Sequence, residues 1–244
     1  RLILNGLNQA QQIVCVSEQT RQDLLRISSL KNSAISLIHM GLNYTYSPME
    51  LAKVKHRLSL LKISNNCRFI LHVGQNVWYK NRLGVLIIFF YLTQKYRKTD
   101  LYLIMVGQPF TSEMRQLIEA YSLSQKVIEL VQVSNEDLCA LYSSATALLF
   151  PSLQEGFGWP IIEAQACGCP VFTSNRPPMT EVGGEAALYI NPNNPETAAK
   201  KIASILPRLA DFKEKSILNA QRFTTEKMLS SYSQVYRKVI LENK

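Results

Sequence analysis

Residues 145–174 read ATALLFPSLQEGFGWPIIEAQACGCPVFTS. Ala145–Phe150 and Val171–Ser174 are short apolar runs of strand length, and Pro160–Cys167 between them is long enough for a helix. Pro160 stands where a first helical residue would, its fixed φ ready for a helix. Gly156 and Gly158 flank Phe157 in the loop before it. A buried strand, a glycine loop, a helix and a second buried strand form one unit of a parallel sheet covered on both faces.

The same alternation extends outward. Arg68–Val73 (RFILHV) reads as a buried strand, Asn81–Tyr96 as a helix and Leu101–Val106 (LYLIMV) as a second strand. Ser112–Tyr121 follows as a helix with Ser112 as candidate cap, then a short strand at Val127–Val131. Asn135–Ser143 is a helix opened by Glu136 and Asp137, which suit the positive end of the helix dipole. The fold class is therefore α/β, a doubly wound, Rossmann-like parallel sheet. Upstream, Ile13–Ser17 (IVCVS), Glu18–Ile27 and Ile35–Ile38 form one strand–helix–strand unit, too little for an independent core. Residues 1–43 are accordingly expected to end a preceding domain. Residues 44–64 hold a linker, polar and turn-rich from Gly41 to Pro48, and a basic helix at Met49–Leu61. Residues 65–223 form the main domain, and residues 224–244 a last helix capped by Thr224 or Thr225.

Composition narrows the class. The chain has 244 residues and is 47% hydrophobic, which excludes a disordered protein. Its longest apolar run, Leu83 to Leu92, is about half of what a membrane-crossing helix needs. No leader with a cleavage site is visible, and the chain opens on Arg1 rather than Met, as a piece of something longer would. The formal charge is +9, but residues 109–195 carry nine acidic and three basic side chains. The excess is thus dispersed over the flanking segments, with no basic block, which argues against nucleic acid as the partner. Five cysteines form no C-x-x-C pair, and most sit in apolar runs. That usage suits a reducing, cytoplasmic setting. No H-E-x-x-H and no paired aspartates appear, so no metal site is expected.

Candidate ligand groups gather at the strand ends. Gly74 and Gly107 end two strands, where glycine lets the backbone approach a ligand closely. Lys80 and Arg82 follow Gly74 at the start of a helix. Cations are not favoured there by the dipole, which suits a phosphate held between them and the free amides; the alternative is two solvated first-turn residues. The Gly156–Phe157–Gly158 loop offers unpaired amides beside the next helix N-terminus. Glu155 precedes it and Glu163 lies in the helix. A carboxylate there can accept hydrogen bonds from the vicinal hydroxyls of a sugar or ribose, or can simply favour the helix N-terminus electrostatically.

The stretch PSLQEGFGWPIIEAQACGCPVFTSN resembles the donor-site motif of the retaining GT-B glycosyltransferases of family 4, the group 1 glycosyltransferases. Their E-x7-E is Glu155 through Glu163 here. Further segments are similar to the family: IVCVSEQTRQDL at Ile13–Leu24, ILHVGQNVWYKN at Ile70–Asn81, Val127–Ser143, and TEVGGEAALYINP at Thr180–Pro192. Gln75 and Tyr79 stand where the family usually has an Arg at one of the two positions, and Trp159 where Leu is common.

The resemblance implies the C-terminal, donor-binding half of a GT-B fold together with the end of the N-terminal domain. It implies a hexosyl transfer from a nucleotide-diphospho-sugar, with retention and without a metal or other cofactor. On this sequence Glu163 would hold the ribose, and Lys80 the diphosphate with Arg82 beside it. Glu155 and the backbone of Gly156, Phe157 and Gly158 would face the sugar and phosphates near Gly74, and the backbone near Val133 would meet the base. Glu155 and Lys80 are the expected catalytic residues. The implied partners are the nucleotide-sugar donor, a saccharide or lipid-linked acceptor, the missing N-terminal domain and, peripherally, the inner face of a membrane. A non-catalytic nucleotide-sugar-binding or regulatory module, and another GT-B enzyme such as a nucleotide-sugar epimerase, remain the alternatives.

Overall fold

The computed structural model describes residues 2–95 and 101–242. The expected helix end at Tyr96 lies outside them. A small first unit holds α1 (Leu2–Gln9), β1 (Ile13–Cys15), α2 (Glu18–Ile27) and β2 (Ile35–Leu37). Its two strands pair in parallel, Ile13 opposite Ile35, over a small core that includes Cys15. The run IVCVS stops early as a strand because Ser17 turns out to cap α2, accepting a hydrogen bond from the Thr20 amide. After the polar stretch around Gly41, α3 (Leu51–Leu60) packs on the second unit.

That unit is a six-stranded, all-parallel sheet of β3 (Arg68–Val73), β4 (Leu101–Val106), β5 (Val127–Leu130), β6 (Ala147–Phe150), β7 (Val171–Ser174) and β8 (Ala187–Ile190), in the order β5-β4-β3-β6-β7-β8. Its connections are α4 (Arg82–Lys95), α5 (Ser112–Ala120), α6 (Asn135–Ser144), α7 (Trp159–Ala166) and α8 (Met179–Gly183). The chain ends in α9 (Pro195–Ile205), α10 (Lys213–Ala220) and α11 (Thr225–Glu242). Alternate strand residues face opposite ways. Phe69 and Leu71 join a core with α3, α6 and α7, while Ile70 and Leu103 join one with α4, α5 and α9. The run from Leu83 to Leu92 is apolar on nearly every side because α4 is buried among α5, α9 and the sheet, with Val85, Leu86, Ile88, Phe89 and Leu92 at 1% exposure or less.

Several ends differ from expectation for local reasons. Thr111, not Ser112, caps α5 by accepting from the Met114 amide. Thr224 accepts from the Lys227 amide and so caps α11, while Thr225 donates to the Leu42 carbonyl at 2.6 Å and ties that helix to the linker. Trp159 opens α7, with Pro160 second and left-handed Gly158 (φ 110°) as its cap.

His72 is fully buried in β3, and its Nδ1–H donates to the Leu149 carbonyl at 2.9 Å. Burial, aided by the Lys80 and Arg82 charges, lowers its pKa from 6.5 to about 3. The unfolded chain therefore gains a proton below about pH 6.5 that the folded chain refuses until about pH 3. Stability falls through that window as pH drops, by up to about 1.4 kcal/mol per pH unit. Urea unfolding at pH 7 and pH 5 should show this loss in the wild type. In His72→Asn, which keeps a donor toward Leu149, the difference between the two pH values should shrink by about 2 kcal/mol.

Candidate functional site

From β3 the chain turns to β4, and from β6 to β7, on opposite sides of the sheet. A crevice opens outside the carboxyl ends of two such neighbouring strands. Here it is a cleft of about 600 Å³. Gly74 stands in it at the end of β3, Gly107 at the end of β4, and the loop of Glu155, Gly156, Phe157 and Gly158 beyond β6. Gly107 has φ 148°, and a Cβ there would lie 2.0 Å from the Gly74 carbonyl oxygen. No larger residue fits without moving the backbone. Open space surrounds Gly156, where a ligand can approach the chain.

Lys80 reaches the cleft from a 3-10 turn, Trp78–Lys80. Its Nζ donates to Glu155 Oε1 at 2.7 Å and stands 4.8 Å from the centre of the Phe150 ring. Both side chains of this pair are largely buried, at 15% and 8% exposure. Glu163, on the cleft floor, is 7% exposed and accepts a hydrogen bond from the Tyr142 hydroxyl at 2.9 Å. Burial pushes its carboxyl above the usual range, against the opposing pull of that hydroxyl and of Lys80. At the start of α7 Pro160 has no N–H and the Ile161 amide donates to the Gly158 carbonyl at 3.0 Å, so the Trp159 amide is left without a side-chain cap among the described residues, at the cleft wall. The cleft thus combines one cation, a helix start and two carboxylates, with Tyr46, Trp159 and aliphatic side chains as walls. Among the described residues, no three His, Cys, Asp or Glu are grouped as a metal site would require.

Gly74, Lys80, Glu155, Gly156, Phe157, Gly158 and Glu163 all line this cleft; Arg82 and Val133 do not. Asn81 between Lys80 and Arg82 is left-handed (φ 53°). The two cations are therefore not one helical step apart, and Arg82 turns away from Lys80. Its guanidinium is buried between the loops after β3 and β4, bonded to Asn76 and, at 2.8 Å, to the Gln108 carbonyl. Val133 packs on the core, two residues before Asn135, which reaches the cleft at the start of α6.

The first unit contributes walls that no motif announced, Val16 and Met40. It also grips the loop after β6 and the helix α8. Ser17 and Thr20 donate to the Gly156 carbonyl at 2.7 and 3.2 Å. The Glu18 amide and the His39 ring reach the Glu181 carboxylate at 3.0 and 2.6 Å. Burial alone would raise that carboxyl, but His39 and the Glu18 amide outweigh it and hold Glu181 below the usual range. The Trp159 indole donates to the Gly41 carbonyl at 3.2 Å.

Gly107→Ala should cost on the order of 2–4 kcal/mol of stability, because its Cβ would meet backbone. Gly156→Ala should cost less than about 1 kcal/mol, because it meets nothing. Urea midpoints of the two variants check the contrast.

The family described as "Glycosyl transferases group 1" matches residues 57–221. The chain is 28% identical over 226 residues to "O-antigen chain mannosyltransferase B" of Escherichia coli, covering 92% of the chain and 58% of that protein. With "O-antigen chain mannosyltransferase RfbU" of Salmonella typhimurium it shares 27% identity over 207 residues, covering 84% of the chain and 53% of that protein. The chain thus spans little more than half the length of these curated relatives. Among solved structures, a glycosyltransferase from Rickettsia africae superposes with TM-score 0.84 at 24% identity, covering 98% of the chain and 65% of its counterpart. Anabaena Alr3699/HepE, solved with UDP and glucose, superposes with TM-score 0.85 at 17% identity, over 98% and 66%. These likenesses show the fold, the doubly wound sheet of the GT-B glycosyltransferases. With the family match running from α3 through the switch-point cleft to the end of α10, the chain belongs to the group 1 glycosyl transferases.

Proposed function

We propose that the chain is the donor-binding half of a glycosyltransferase that moves a hexosyl group from a nucleotide-diphospho-sugar to a saccharide or lipid-linked acceptor. One observation carries the reading. The buried Lys80–Glu155 pair, the uncapped start of α7 and the buried Glu163 converge on one cleft at the switch point of the sheet. Lys80 and the Trp159 amide at the start of α7 offset the charge that grows on the diphosphate as the bond to the sugar breaks; such preorganised stabilisation is usually the largest catalytic contribution. Glu163 accepts from the ribose hydroxyls, and Glu155 faces the transferred sugar while holding Lys80 in place. Gly74, Gly156, Phe157 and Gly158 present backbone to the phosphates and sugar. The base sits near the backbone of Val133, beside Asn135. Arg82 has no part in this reading, since it lies outside the cleft.

Retention of configuration, without a metal or other cofactor, follows from the resemblance of the E-x7-E stretch to its family. The similarity to O-antigen mannosyltransferases supports a saccharide-building role. The acceptor half is supplied by chain outside these residues, in keeping with the share of the relatives' length that the chain spans. The expected site of action is cytoplasmic, at the inner face of a membrane. Five free cysteines fit a reducing compartment. Leu51 and Leu60 are exposed on α3 near Lys53 and Lys55, a combination suited to peripheral membrane contact. Arg57 on the same helix is instead engaged by Asp137 and Glu136. Among the described residues no helix is long and apolar enough to cross a membrane.

Calorimetry with UDP, GDP, ADP and their sugars tests the reading. One nucleotide series should bind, and Glu163→Ala and Lys80→Ala should each weaken it at least tenfold. Absence of binding by the wild type, or equal binding by all three proteins, would overturn it.

A further inference from the structure

Trp78 is 70% exposed, on the 3-10 turn that carries Lys80. Large apolar side chains held this far into solvent mark contact sites when polar groups surround them. Two grooves meet at this indole. The nearer, of about 440 Å³, is lined by Tyr79 and Gln154 and shares Glu155 and Gly156 with the donor cleft. The farther, of about 350 Å³, is lined by Asn81, Arg82, Thr111 and Glu113. The indole therefore stands on a path that begins at the cleft rim and leads away from it.

The polar groups along the path have unused hydrogen-bonding capacity. Arg82 is 4% exposed, yet its Nε and Nη2 have no acceptor among the described residues. Those two atoms are closed off from the groove as well as from solvent, so Arg82 shapes the groove wall and does not donate into it. The side chains of Gln154 and Glu113, by contrast, are exposed and have no hydrogen-bonding partner among the described residues. An exposed ring face, with unpaired donors and acceptors at its edges, matches a pyranose, which has an apolar C–H face and a rim of hydroxyls. Glu113 beside Arg82 disfavours a phosphate or another strongly anionic group.

We propose that Trp78 is the stacking platform of a saccharide subsite, and that the grooves on either side hold the neutral sugar chain of the acceptor as it leaves the donor cleft. The inference rests on the glycosyl-transfer reading above. The C–H face of one ring lies on the indole, and hydroxyls of its neighbours donate to Glu113 and exchange hydrogen bonds with the Gln154 side-chain amide.

Saturation-transfer NMR on the full 244-residue chain tests it, with α-linked mannotriose, galactotriose and glucotriose as probes and nucleotide affinity measured by calorimetry on the same samples. The wild type should saturate at least one trisaccharide. Trp78→Ala should weaken that binding at least ten times more than it changes nucleotide affinity, and Glu113→Gln should weaken it about threefold or more. If no trisaccharide binds a wild type that binds nucleotide, or if Trp78→Ala binds the trisaccharide as tightly as the wild type, the subsite is overturned while the donor reading stands. If nucleotide binding fails and Trp78-dependent trisaccharide binding survives, the donor reading falls and the subsite stands.

Discussion

β3 and β6 are neighbours in the sheet, but their chains depart in opposite directions. No single connection can roof the gap between their carboxyl ends, so a cleft there is a consequence of strand order rather than of any one side chain. Everything chemically distinctive is attached to its two banks. Lys80 comes from the loop after β3, Glu155 and Glu163 from the loop and helix after β6. The banks are laced together: the Asn81 side-chain Nδ2 donates to the Pro151 carbonyl at 3.0 Å, and the Leu153 backbone amide to the Tyr79 carbonyl at 2.7 Å. The close approach of Gly107 to Gly74 fixes the floor on the β4 side.

A buried ion pair on this scaffold is poor evidence for stability, because desolvating both charges offsets much of their attraction. On the proposed donor-binding reading, the Lys80–Glu155 pair is preparation for a ligand. An incoming diphosphate would replace one anionic partner of Lys80 by another. Glu163 follows the same logic from the other direction. Its carboxyl is buried against its own preference, with a tyrosine hydroxyl to satisfy one oxygen and acceptor capacity left over.

The legible part of this arrangement was the part carried by runs and by local chemistry. Arg68–Val73, Leu101–Val106 and Val171–Ser174 form strands with the boundaries their apolar runs suggest, because buried parallel strands have little else to be. The spacing of Glu155 and Glu163 around two glycines and a proline brought both carboxylates to one cleft. Arg82 was misplaced because nothing in the sequence announces that Asn81 adopts a left-handed conformation, and that one torsion decides which way the next side chain faces. Thr111 and Ser112 are equally good caps by type, and only the backbone path chose between them. The walls from Val16, Met40 and Tyr46 were invisible for a different reason. They are ordinary apolar residues brought in from far away in the chain, and no local pattern encodes such contacts.

Those distant contacts give the first unit more than a spatial role. Ser17 serves twice, accepting from the Thr20 amide to start α2 and donating to the Gly156 carbonyl in the candidate donor loop. One residue on, the Glu18 amide meets Glu181, which also holds His39. Each neutral contact contributes only about 1 kcal/mol net, and those to the charged carboxylate somewhat more. Together they join the start of one helix to both the glycine loop and α8. A shift of the first unit against the sheet must break these bonds in concert, or carry the Gly156 loop with it. The shape of the cleft and the placement of the first unit are therefore one mechanical variable.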